Sequence, residues 1–172
     1  MRSWILLLGA LLSVATTACT RAETEQLRLV GKELPRRPPA PWVDVRDGLI
    51  EDRGPKADAS ARPLFSGTVW SSGDAVALIL SQSESAAGSP RWVVLAVMQV
   101  QVPRGYFVTD LCELDGRTDP ELFALVASEV PCPRWYTQVA AAFRLSRSNR
   151  RIETLPARGI RCACMSYGMD AR

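Results

Sequence analysis

The sequence contains no histidine. Without an imidazole there is no Ser-His-Asp triad, no Cys-His nucleophile pair and no His-Glu-x-x-His zinc helix. Lysine is nearly absent as well. Lys32 and Lys56 are the only two, and both precede the segment that reads as a folded domain, which removes Ser-Lys and Schiff-base chemistry from that domain. Neither Gly-x-x-x-x-Gly-Lys-Ser/Thr nor Gly-x-Gly-x-x-Gly occurs, so a nucleotide cofactor has no motif to support it. No apolar run reaches the ~20 residues of a membrane-spanning helix. Charge is nearly balanced, 21 Lys and Arg against 18 Asp and Glu, and a net +3 gives no reason to expect nucleic acid as a partner. No cofactor is expected.

What is present begins with the first eighteen residues. Arg2 supplies a positive charge, Trp4 to Leu12 form a nine-residue apolar stretch, and mostly small residues follow up to Ala18. This is the three-part pattern of a secretory signal peptide over 1–18, too short to span a bilayer. The run Thr16-Thr17-Ala18-Cys19 resembles the lipobox of a bacterial lipoprotein precursor, although Thr16 stands where that family usually has leucine. The resemblance implies cleavage before Cys19, lipidation of that cysteine and a membrane anchor facing the periplasm or the cell exterior. An ordinary signal-peptidase site, with Thr16 and Ala18 as its small residues, fits the same segment.

From Thr20 to Arg62 the composition is polar, with nine Lys/Arg and eight Asp/Glu. Pro35, Pro38, Pro39 and Pro41 fall within seven residues, which favours extended polyproline II. This segment, 19–62 with the lipidation cysteine, is expected to be a solvated tether. The exception is Trp42-Val43-Asp44-Val45, whose alternation suits an edge strand.

Residues 63–172 read as the globular domain. Leu64–Val69 and Ala75–Leu80 flank Ser71-Ser72-Gly73-Asp74, a hairpin pattern. Trp92–Val102 is the strongest strand signal, and Tyr106–Leu114 is a second, each followed by turn residues. Pro120–Glu129 is ambiguous. Asp119 and Pro120 are helix-start residues, but the segment also suits a strand. Arg134–Leu145 combines an alanine run with strand-like ends, then Ser146–Asn149 forms a turn into Arg151–Leu155. The expected fold is mostly β, extending to α+β if one or two of these segments are helical: one small antiparallel sheet domain.

Four cysteines lie in the domain: Cys112, Cys132, Cys162 and Cys164. In an exported protein an even number suggests two disulfides. A Cys162–Cys164 bond would close too tight a ring, so each is expected to reach back, one to Cys112 and one to Cys132. The competing reading, a four-thiolate metal site, lacks the usual Cys-x₂₋₄-Cys knuckles, and no metal is expected.

Two charge clusters stand out. Asp110, Glu113, Asp115, Asp119 and Glu121 could pair as catalytic carboxylates, or be solvated acids around a turn. Their spacing fails the EF-hand pattern, which would put Leu111 and Leu122 at positions needing acids. Arg144, Arg147, Arg150 and Arg151 are candidate anion-binding residues, for phosphate-rich lipid, polysaccharide or the acidic turn itself. The functional expectation is a binding or structural module of the cell envelope, with enzymatic activity left open. It would be membrane-tied and would contact another envelope component. A carboxylate hydrolase and a thiol metal binder are the alternatives.

Overall fold

The computed structural model describes residues 28–50, 64–84 and 91–164. The signal peptide, Cys19 and residues 51–62 of the expected tether lie outside the described residues. Twelve strands and no helix occur among the described residues. They form three four-stranded sheets, all paired antiparallel.

The first sheet runs in the order β1 (Val43–Leu49), β2 (Phe65–Ser72), β3 (Ala75–Ser83), β4 (Trp92–Gln101). The β2–β3 hairpin pairs Ser72 with Ala75 across the two-residue turn Gly73-Asp74. Asp47 ties β1 to β2: its Oδ1 accepts hydrogen bonds from Ser66 Oγ at 2.7 Å and Thr68 Oγ1 at 3.0 Å. β3 reads as an unbroken apolar run because both of its faces are covered.

The middle sheet has the order β11 (Arg151–Leu155), β10 (Val139–Ser146), β8 (Leu122–Ala127), β5 (Tyr106–Thr109). The third sheet is β7 (Arg117–Thr118), β6 (Cys112–Leu114), β12 (Ile160–Ala163), β9 (Trp135–Tyr136). From β5 to β12 the chain shuttles between these two sheets. The second predicted strand therefore breaks at Asp110-Leu111, where the chain crosses from one sheet to the other.

The sheets stack with the middle one buried on both faces. Val69, Leu78 and Leu80 of the first sheet meet Phe123, Phe143 and Leu145 of the middle sheet. On the opposite face, Leu122, Ala124, Val126 and Ala142 meet Cys112, Tyr136, Ile160 and Cys162 of the third sheet. Burial on both sides decides the ambiguous segments. Leu122–Ala127 is apolar throughout because it is a central strand, and Ala142 of β10 is fully buried where the third sheet lies against it. The helix-start residues act locally instead. Asp119 Oδ1 accepts from the Glu121 backbone N–H at 2.9 Å, an Asx turn that leads into a strand.

Two close fits set the geometry. A Cβ on Gly67 would lie 2.7 Å from Cζ of Phe123, so only glycine lets that ring seat against β2. Asp115 and Gly116 join β6 to β7 with φ of 51° and 78°, the two positive values of a type I′ hairpin turn.

Two disulfides are present. Cys112–Cys162 links directly opposed residues of β6 and β12, and Cys132–Cys164 ties the loop before β9 to the chain after β12. Both Cys162 and Cys164 reach back to earlier cysteines, as the tight-ring argument requires.

Candidate functional site: a cavity under the N-terminal strap

Residues 28–42, expected to belong to the tether, pack across the outer face of the first sheet, and we call them the strap. Leu29, Leu34 and Trp42 press onto Trp70, Ala77, Ile79 and Val94. Its backbone also pairs with the edge of β4. Gly31 N–H donates to Val94 O at 2.8 Å, Val94 N–H to Lys32 O at 2.9 Å, and Leu34 N–H to Trp92 O at 2.7 Å. Three apolar pegs and an edge ladder thus hold a Pro-rich segment that composition alone reads as solvated, and they also cover part of an exposed edge. The packed unit begins by Arg28, well before the expected boundary at 62/63, and it includes the edge strand that the Trp42–Val45 alternation suggested.

Between strap and sheet lies a cavity of about 500 Å³. Its floor is built by strand register. Ile79 sits opposite Val97, Ala77 opposite Trp70 and Gln99, and Ala75 opposite Ser72 and Gln101. These rows run from apolar to polar along the strands. Alanine in the central strand, between Trp70 and Gln99 and between Ser72 and Gln101, makes the floor a trough. The strap contributes Leu29, Trp42 and the residues Pro39 to Pro41 to the walls, with the cations Arg28 and Lys32. Asp74, in the β2–β3 turn, is the acid that lines it. The volume lies within the ~300–1,000 Å³ of small-molecule sites. No histidine or cysteine lines it, so its chemistry is that of apolar contact, amide hydrogen bonding and charge.

The sequence-predicted candidates lie elsewhere, and most of them meet one another. Arg144 Nη2 donates to Asp119 Oδ2 at 2.7 Å. Arg147 Nε donates to Glu121 Oε1 at 2.5 Å, and its Nη1 to the Ile50 carbonyl at 3.4 Å. Arg161 binds Glu113 through Nε and Nη2, at 2.9 and 2.8 Å, while lying 4.3 Å over the Trp135 ring. Arg46 pairs with Asp110. Arg150 reaches Gln82 at 2.9 Å, and Arg151 binds Glu153 at 2.8 Å. Of the five acids, Asp110, Glu113, Asp119 and Glu121 each face an arginine rather than another acid, and Asp115 presses its carboxylate against Gly159. All four candidate anion-binding arginines thus hold a partner within the domain.

The Arg151 guanidinium, helped by the Asn149 amide, holds the Glu153 carboxyl below its ordinary pKa. Burial lowers Arg46 from its ordinary value. Among the described residues no group of three or more His, Cys, Asp or Glu is placed to hold a metal ion.

The cavity was hidden from sequence reasoning because its floor and walls come from four separate segments. Trp70 and Trp42 were legible as large aromatics, but their convergence was not. Comparison with known protein families, with curated proteins and with solved structures finds no match.

Proposed function

We propose that this chain is an exported cell-envelope protein, tied to a membrane through a lipid on Cys19, whose β domain is a binding module for a small envelope component. The observation that carries the binding reading is the cavity of about 500 Å³ with its graded floor, Ile79 and Val97 at one end and Ser72 and Gln101 at the other. A trough with an apolar end and a polar end suits a ligand that is itself amphipathic. The two disulfides fit an oxidising compartment, which supports export. The signal peptide and the lipobox-like run supply the anchor.

The alternatives draw less support from the geometry. A carboxylate hydrolase needs two of the acids between 110 and 121 to face one another, and four of the five face arginines. A thiol metal binder needs free thiolates, and the four domain cysteines are bonded in pairs.

Mass spectrometry of protein purified from its own envelope tests the proposal. A denatured mass that starts at Cys19 with added acyl groups is expected. Under native conditions a discrete extra mass should remain bound, and it should be lost in Ala77→Trp, which fills the trough. A denatured mass without lipid overturns the anchor. A native mass equal to the denatured one overturns the binding module.

A further inference from the structure

We infer that the cavity accepts one acyl chain bearing an anionic head, taken from the membrane surface beside the anchor. The inference rests on the binding reading above and gives it a ligand class. Three observations carry it.

The first is the lining. The covered end of the trough is hydrocarbon: Leu29, Trp70, Ile79 and Val97, with Ile79 and Trp70 almost wholly buried. The second is charge. The strap brings Arg28 and Lys32 to the wall, against Asp74 alone of opposite sign. An anionic head beside these two cations gains charge-assisted hydrogen bonds, and a neutral head gains less. A cavity of this size holds one drug-sized ligand, which is a single chain rather than a whole two-chain phospholipid.

The third observation is reach. Only eight residues, nine residue steps, separate Cys19 from Arg28 at the cavity wall. Fully extended they span at most roughly 30 Å, and as a flexible coil nearer 15–18 Å. Because the strap is packed, the long tether that composition suggested is not there to lift the cavity away. With Cys19 lipidated, the cavity mouth is held within that distance of the lipid headgroups.

The test uses the lipidated protein in phosphatidylcholine nanodiscs. The probe is a dansyl-labelled undecanoic acid, read by energy transfer from tryptophan, with its methyl ester as the neutral control. Saturable transfer is expected with the acid. Ala77→Trp should weaken both probes at least tenfold, and Ser72→Trp, at the half-buried end of the trough, does the same if Ala77→Trp fails to fold. Arg28→Glu/Lys32→Glu should weaken the acid about tenfold and the ester less than twofold. Competition by dodecanoate or by a lysophosphatidic acid tells a carboxylate source from a phosphate source, and either supports the inference. Transfer unchanged in both tryptophan variants overturns it, because the probe then sits in the bilayer. Equal loss of acid and ester in the charge variant overturns the anionic head. A native mass showing a bound water-soluble ligand, with no acyl binding, overturns the acyl inference and leaves the binding module standing.

Discussion

Removing the disulfides separately should expose an inequality that loop length does not produce. Cys112–Cys162 closes a sequence separation of 50 residues, and Cys132–Cys164 one of 32. By chain entropy the first is worth about 4.1 kcal/mol and the second about 3.7 kcal/mol, a difference too small to measure well. Burial separates them. Cys112 and Cys162 are both 0% exposed, in the cluster where the middle and third sheets meet, whereas Cys132 is only partly buried. Cys112→Ala/Cys162→Ala also leaves space between packed sheets, and a deleted buried group costs more where its surroundings cannot collapse. The double variant should therefore lose about 5 kcal/mol, at least ~1 kcal/mol more than Cys132→Ala/Cys164→Ala. Against a total of about 5–15 kcal/mol, either loss is severe and losing both leaves little folded protein. Urea unfolding followed by tryptophan fluorescence reads the difference, after alkylation and mass analysis confirm that Cys112, Cys132, Cys162 and Cys164 carry no free thiol in the parent. The reasoning fails if Cys112→Ala/Cys162→Ala is the milder of the two, or if either pair costs less than ~1 kcal/mol.

Gly67→Ala should cost about 1–3 kcal/mol, because its methyl group meets the Phe123 ring in a packed core, and Gly67→Ala/Phe123→Leu should recover part of that loss in the same unfolding assay. Glu121→Ala should cost about 1–3 kcal/mol by leaving the Arg147 guanidinium without its carboxylate, and Glu153→Ala, whose partner Arg151 is exposed, much less. Glu153 has a lowered folded pKa, so its contribution is complete above the ordinary carboxylate value and disappears as pH falls through the depressed one. An NMR titration of its side chain should give a midpoint below that of an unpaired glutamate, moving up in Arg151→Ala; a midpoint at or above the ordinary value would refute the pairing.

The fold was legible where a strand has one local explanation. Gly73-Asp74 and Asp115-Gly116 mark their turns by residue chemistry, and the valines of β4 mark their strand. It was illegible where tertiary burial chose the outcome. Leu122–Ala127 has a helix-like start, and only the sheets on both its faces show why it is extended. The acid and arginine clusters were both visible, and the mutual pairing was one of the options for the arginines. What fixed it was register, which sets Glu121 and Asp119 beside the end of β10. The strap was the hardest segment to read. Leu29, Leu34 and Trp42 follow no period, so nothing in the pattern distinguishes pegs from the scattered apolar residues of a tether.

The order in which the third sheet is assembled bears on how the protein matures. One of its two inner strands, β12, is the last among the described residues, and both disulfides wait for it. In a chain crossing a membrane from its N-terminus, Cys112 and Cys132 emerge some thirty residues before Cys162, and an oxidant that joins cysteines as they arrive would join those two. The native bonds skip that pair. If the chain is exported as proposed, correct maturation calls for oxidation that lags behind export, or for an isomerase that reopens a Cys112–Cys132 bond, and a cell with a strong oxidase and no isomerase should accumulate the misbridged form.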